Sequence, residues 1–377
     1  MAAPVATPQT VAALCARLGL PGPTQGAEVV LAAIRPLHEA GPTDLSFLDN
    51  AAYKAQAAAT KAGAVLVRQS EVALLPSGSI PIVCPQPYVA YARALQIFYP
   101  TPAVAGGISQ FAVVSSKAVV HPTARIEPYA VIYAGAEVGE GAYIGAHTVV
   151  GEGVVVGKGT RVGAHATLER CQVGEDCLIH SGVRIGQDGF GFAQSGEELI
   201  KILHLGKVQI GHRVEIGANS TIDAGALNDT ILADDVKLDK QVQIAHNVRV
   251  GRGVRIAAQS GVAGSSSIGA WCVIGGHVGV AGHLTLGPKS MVAAMSGVTK
   301  SFEAPGSVVA GMPAVPIQQW RQQMAALALT VKRGPKPTSA APTLPKAAVP
   351  QPPHPESKTA LPIGPDTANP FIPGEVY

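Results

Sequence analysis

The sequence predicts a mainly β protein: a parallel β-helix of hexapeptide repeats, with a small α/β domain before it and a helix after it. Three observations carry that expectation. From Leu238 to Val298 an aliphatic residue falls at every sixth position without a miss, through Ile244, Val250, Ile256, Val262, Ile268, Ile274, Val280, Leu286 and Val292. A period of six is neither the two of an ordinary strand nor the 3.6 of a helix, and its persistence marks a stacked repeat. The first hundred or so residues have another texture, with short apolar runs alternating with helical spacing. Beyond Val298, Pro305-Gly306 and Gly311-Met312-Pro313 break the repeat ahead of an apolar stripe at helical spacing.

The first segment, residues 1–105, reads as α/β. Thr10 can cap a short helix carrying Val11, Leu14 and Leu18. Strands are expected near Val29 to Ile34, Ala64 to Val67 and Ile80 to Val83, with a second helix from Tyr88 to Phe98. Between them, Gly41 to Tyr53 is expected to form a turn followed by a helix. On such a helix Phe47, Asn50 and Tyr53 share a face. Spacing alone leaves two readings, core anchors or a pair of rings gripping a flat base beside a hydrogen-bonding amide.

Residues 106–312 form the expected β-helix. In a prism of this kind each hexapeptide supplies one face and three make a coil of eighteen residues. Successive coils stack as parallel strands about 4.7 to 4.9 Å apart. The repeat is clear from Val120 through Leu168, slips by one residue, and resumes at Val173, Ile179 and Ile185. It breaks between Gln187 and Lys207, through Asp188-Gly189-Phe190-Gly191-Phe192, a loop thrown out from one edge of the solenoid and of the sort that often carries function. Ile210, Ile216 and Ile222 take the repeat up again before a second slip at Asp223-Ala224-Gly225-Ala226. A solenoid needs both ends covered. The first domain is expected to serve one end, and a helix within 313–333, with Trp320, Met324, Leu327 and Val331 on one stripe, the other. Residues 334–377 hold twelve of the thirty prolines and few large apolar groups, the composition of a disordered tail.

Composition narrows the class. A formal net charge of +3, with no cluster of Lys and Arg, argues against a nucleic-acid partner. The five cysteines, Cys15, Cys84, Cys171, Cys177 and Cys272, form no CxxC pair and suit buried thiols in a reducing compartment, so no metal is expected. The first residues lack a basic start and an apolar core, and no apolar run approaches the ~20 residues of a membrane span. A cytoplasmic protein is expected.

Candidate chemistry lies on the regular surface. His277 and His283, six apart, belong to adjacent faces, whereas His246 and His283 differ by two coils plus one residue. That places these two on one face about 10 Å apart along the axis. Asp239, seven residues before His246, is within reach of an imidazole nitrogen if both stand near a corner, and a His with a carboxylate partner is the minimal general base. Taken singly, each of these histidines also fits a surface or inter-subunit packing role.

Thr221 to Ala226, Leu238-Asp239-Lys240-Gln241-Val242-Gln243-Ile244-Ala245-His246-Asn247-Val248, Gly275-Gly276-His277 and Ala281-Gly282-His283 together resemble the UDP-3-O-(3-hydroxyacyl)glucosamine N-acyltransferases of lipid A biosynthesis. Leu45-Ser46-Phe47-Leu48 with Asn50 and Tyr53, and Gly186 with the Asp188 to Phe192 stretch, extend the resemblance over residues 10 to 330. It implies a left-handed β-helix and a homotrimer with sites between neighbouring prisms. It also implies that the first domain binds uridine through Phe47, Asn50 and Tyr53. His246 would be the general base, Asp239 would orient it, the Gly264 N–H would face the oxyanion, and His283 would lie by the acyl donor. The donor would be a 3-hydroxyacyl chain on the phosphopantetheine arm of acyl carrier protein, with no bound cofactor and no metal. Such an enzyme works in the cytoplasm, including the inner face of the inner membrane.

The sequence departs from that family at Ala224, where Arg is frequent, and in the Pro-rich tail. Gly297, beside Ala293, Ala294 and Met295, leaves room for a longer acyl chain if a tunnel ends there. Rival readings are an O-acyl or acetyl transferase, a prism-shaped carbonic anhydrase using three histidines across a trimer interface, and a scaffold. The substantial first domain argues against the first, and the different faces of His277 and His283 against the second. A scaffold predicts no sugar-nucleotide binding.

Overall fold

The structure, a computed structural model, describes residues 6–100 and 105–333, the last four without side chains. The tail expected to be disordered, residues 334–377, lies outside the described residues, as does the side chain of Val331. The described residues fall into two compact units, meeting in sequence between 100 and 105.

In the first unit, Thr10 Oγ1 accepts from Ala13 N at 3.2 Å and caps the helix Val11–Leu18, which Gly19 ends in the left-handed conformation. Four parallel strands lie in the order Ala33–Ile34, Asp44–Phe47, Ala64–Val67, Ile80–Val83. The helices Val11–Leu18 and Pro87–Phe98 share a core with Leu45, Leu66 and Ile82, while Leu48, Val65 and Val67 pack with Leu37 and Ala57. Side chains alternate across a strand, so one four-residue run serves both cores.

Asp44 to Phe47 is a strand, not part of a helix, and Asn50 caps a 3₁₀ turn over Ala51–Tyr53 that leads into the helix Lys54–Ala58. Leu45 and Ser46 are wholly buried beside Ala64 and Val65, and pairing with that central strand outweighs the helical spacing of the sequence.

The second unit is a three-sided parallel prism. Arg125 pairs with Tyr143, Val131 with Val149 and Glu137 with Val155, each eighteen residues on, which defines a first, second and third face. The strands begin at Gly107–Ile108, two hexapeptides before the clear start of the repeat. All eleven aliphatic residues from Leu238 to Val298 point inward and are buried. At one corner Gln241, Gln259, His277 and Met295 stack with positive φ, and at the next Asn247, Ser265 and His283 do so. A single left-handed residue per corner turns the chain through the prism edge.

Three irregularities interrupt the stack before Leu238, each a change of register, and a further one near its end pairs Met291 with Val308. Val155 pairs with Gln172, Cys171 with Val208, and Val208 with Thr230. The second of these is the insertion, which contains the antiparallel hairpin Phe192–Ser195 and Glu198–Lys201. At the far end the helix Ile317–Arg333 follows, with Trp320 set against Gly311, where a Cβ would come within 2.6 Å of the indole. The five cysteines are free and buried. Among the described residues no helix is long and apolar enough to cross a membrane.

Candidate active site

His246 follows the second-face strand Gln243–Ile244 and stands just before the corner residue Asn247. Ser265 N donates to His246 O at 2.9 Å, and His283 N donates to Gly264 O at 3.0 Å. His246, Gly264 and His283 therefore climb one corner in successive coils, while His277 belongs to another. Among the described residues no three of His, Cys, Asp and Glu converge as a metal site would require.

The loop made by the second slip decides the tautomer of His246. Asn247 Oδ1 accepts from Ala226 N at 3.0 Å, and its Nδ2 donates to Asn228 O at 2.7 Å. The oxygen is thus the atom that faces His246 Nδ1, at 3.1 Å. An oxygen acceptor there puts the proton on Nδ1 and leaves the lone pair on Nε2. That nitrogen lies against Gly264: a Cβ at Gly264 would stand 2.6 Å from it and 2.5 Å from Cε1. Among the described residues the Gly264 N–H donates to no backbone carbonyl.

Asp239 is not the partner of this ring within the chain. It follows the first-face strand Lys237–Leu238, and its carboxylate takes hydrogen bonds from Lys240 N at 2.8 Å and Lys240 Nζ at 3.0 Å, which hold its pKa below the ordinary carboxylate range. Seven residues advance the chain by a whole face, so the corner of Asp239 is not the corner of His246. A carboxylate that does border the groove beside the ring is Asp223, one coil below on the second face. It is buried and held by Gln187 Nε2 at 2.7 Å and Gln243 Nε2 at 3.0 Å. Burial raises its pKa, opposed by the two amides and by the nearby His246 and His204. Ala224, beside it, is fully buried and donates its N–H to Gln187 O.

The insertion is tied down next to these groups. Arg170 binds Gly186 O, His204 O and Asp188 Oδ1, and Lys201 lies 3.3 Å from the other oxygen of Asp188. The Arg170 guanidinium, with Lys201, holds the Asp188 carboxyl below its usual range. Asp188 to Phe192 then forms one edge of a groove of about 1210 Å³ along the second face. Gly261, Gly279 and Gly297 floor it, His246 stands at one end and Met312 at the other. A Cβ on Gly297 would meet Met312 Cγ at 3.1 Å, so the residue sets the depth of that end. Across the corner, on the third face, a polar pocket of about 420 Å³ contains Asn228, Asp229, Arg249, Ser265 and Ser267 with His246. The imidazole thus separates an apolar groove from a polar pocket.

The first unit has a pocket of its own, about 590 Å³, lined by Phe47, Asn50 and Tyr53 together with Tyr88 and Tyr91. Phe47 stacks on Tyr91 with centroids 4.2 Å apart. Asn50 Oδ1 is taken by Ala52 N, and Tyr53 is half exposed. The two further tyrosines escaped the sequence reading because they lie on the remote helix Pro87–Phe98. Asn247, Asp223 and His204 escaped it because their roles depend on loops without a period.

Comparisons agree with this anatomy. Residues 28–97 match the family described as UDP-3-O-(3-hydroxymyristoyl) glucosamine N-acyltransferase, LpxD, and residues 117–152, 139–170 and 229–264 match bacterial transferase hexapeptides. The prism is accordingly a left-handed parallel β-helix. A protein from Granulibacter bethesdensis described as UDP-3-O-acylglucosamine N-acyltransferase is 49% identical over 207 residues, 55% of this chain and 60% of that one. One of the same description from Marinomonas is 52% identical over 189 residues, 50% of this chain and 54% of its own, so these two matches span little more than half of each relative. A third, from Methylorubrum populi, is 41% identical over 335 residues, which cover 87% of this chain and 95% of the relative. Through that likeness across both units, the chain belongs to the UDP-3-O-acylglucosamine N-acyltransferase family.

Proposed function

We propose that the protein transfers a 3-hydroxyacyl chain from acyl carrier protein to the 2-amino group of UDP-3-O-(3-hydroxyacyl)glucosamine, giving the UDP-2,3-diacylglucosamine of lipid A biosynthesis. The observation that carries this reading is the placement of His246, with Nδ1 facing Asn247 Oδ1 and Nε2 against Gly264, at the junction of groove and pocket.

In this reading Nε2 of His246 takes a proton from the amine as its nitrogen attacks the thioester carbonyl. The Gly264 N–H meets the oxyanion, where the absence of a side chain permits close approach. Collapse breaks the C–S bond, and the thiolate of the phosphopantetheine arm receives the proton from His246. No covalent enzyme intermediate, resident cofactor or metal is needed. The groove suits an acyl chain in volume and in its largely apolar lining, and His283, two coils above His246, suits contact with the donor. The aromatic pocket of the first unit suits a uracil ring. A homotrimer with sites between prisms, action in the cytoplasm or at the inner face of the inner membrane, and the absence of a nucleic-acid partner complete the proposal.

The test is amide formation from 3-hydroxyacyl carrier protein and UDP-3-O-(3-hydroxyacyl)glucosamine, parent against His246→Ala. A positioned base contributes about 100- to 10,000-fold, and a loss of that size is expected. A variant as active as the parent, or a parent inactive with donors of every chain length, refutes the reading.

A further inference from the structure

A second imidazole stands beside His246 and has no part in the reaction as described. His204 closes the insertion and is only 3% exposed. Its ring meets that of His246 edge to face, with centroids 5.3 Å apart and an interplanar angle of 69°. Nδ1 lies 3.2 Å from Ile202 O. A carbonyl can only accept, so Nδ1 carries the proton and Nε2 the lone pair. That Nε2 is buried, and no group among the described residues donates to it. Burial depresses the pKa of His204, and the adjacent His246 depresses it further, which favours the neutral ring. Folds rarely leave a buried acceptor in this condition without a compensating role.

Gly189 locates the free edge. A Cβ built there would stand 2.8 Å from His204 Nε2 and 3.1 Å from Cβ and Cδ2 of His246. The lone pair of one ring and the flank of the other therefore border the same small volume, with the Gly189 backbone over both.

We propose that His204 is a positioning residue for His246, holding the plane of its ring and presenting a neutral lone pair to the positive charge that His246 gains on taking the amine proton. This rests on the acyl-transfer reading above. His204 itself neither gains nor loses a proton in the step. The other charged groups around the pair are Asp223, held by Gln187 and Gln243, Asp188, paired with Arg170 and Lys201, and, across the corner in the polar pocket, Arg249 and Asp229, whose carboxylate accepts from Lys207 N and Gln209 Nε2. Arg170 also binds the His204 carbonyl, which fixes the backbone that carries the ring.

Two variants of the full chain separate this role from simple packing. His204→Phe keeps a ring and removes the lone pair, whereas His204→Gln offers an acceptor oxygen. For His204→Phe the expected result is a fall in kcat of about tenfold with KM within about twofold, the size of one lost charge-assisted contact. The acidic limb of its kcat profile should move to lower pH by up to about one unit, because the protonated His246 has lost a stabilising neighbour. His204→Gln should recover most of kcat and return the limb. A substrate-free measurement accompanies these: the pH dependence of His246 modification by diethyl pyrocarbonate, read by mass spectrometry, should move in the same direction in His204→Phe. Unchanged limb and modification profiles in His204→Phe, or a His204→Gln as impaired as His204→Phe, overturn the proposal. A parent that transfers no acyl group overturns the acyl-transfer reading instead, since the modification profile is read without substrate.

Discussion

Strands that pair with one another between Leu238 and Val298 lie eighteen residues apart, and every sixth side chain is buried. Between Val155 and Thr230 the same faces pair in steps of seventeen, thirty-seven and twenty-two residues. Both stretches use one hexapeptide and one core, yet they contribute different things. The even run places His246, Gly264 and His283 on a single corner through register alone. The uneven stretch supplies Gln187, Asp188, Gly189, His204, Asp223 and Asn228, which hold, cover or neighbour that corner. A repeat can repeat a position, but it cannot make one copy differ from the next. The departures from period give one histidine among many its tautomer and its neighbours.

That contrast can be broken by experiment. If the even run acts through close registration, Gly264→Ala should be severe, because its Cβ would stand about 2.5 Å from the His246 ring. Displacing a reacting group by about 1 Å costs roughly 100-fold, and kcat should fall by that order while the unfolding temperature hardly moves. If the uneven stretch acts through anchorage, Arg170→Ala should cost about tenfold in kcat, since it unties Gly186, Asp188 and His204 together. Limited trypsin digestion should then cut after Lys201 faster than in the parent, and equal rates would show that the insertion is held by other means.

Gly297→Met tests the far end of the even run. A side chain there projects toward Met312 and shortens the groove, so preference should shift by several-fold toward shorter donors. Unchanged chain preference would remove the groove as the acyl site. The smallest effect is expected at Asp223, whose carboxyl burial raises above its ordinary pKa. A raised carboxyl pKa means that folding favours the protonated form. Stability from this group is present at low pH and falls as pH rises from about 4 through the raised value. Asp223→Asn lacks that dependence, so its unfolding temperature should gain on that of the parent between about pH 4 and pH 7. A constant difference across that range would mean that the two glutamines fully offset the burial.

Much of this was legible in the residues. Period six, the buried aliphatic line, the break at Gln187 and the placement of His283 two coils above His246 all follow from counting, because stacking converts distance along the chain into distance along the axis. Helix and strand limits in the first unit followed where a cap such as Thr10 or a β-branched run was present. The stretch Asp44 to Phe47 misled, because its helical spacing is local while the strand it joins is not. Asp239 shows the reach of such counting: seven residues carry the chain on by a whole face, so within one chain it does not meet the ring of His246.

By itself, then, the sequence determined the stack, the face and height of each residue in it, and which residue types could do acid–base work. Those are properties of a period, and a period is written in consecutive residues. Only the tertiary structure decided that, within the chain, Asp223 lies nearer His246 than Asp239 does, that Asn247 puts the proton on Nδ1, and that His204 lies edge-on to the ring. Each of these depends on loops that leave the period and return at a distance no local pattern encodes, where burial and hydrogen-bond pairing across coils choose the partners.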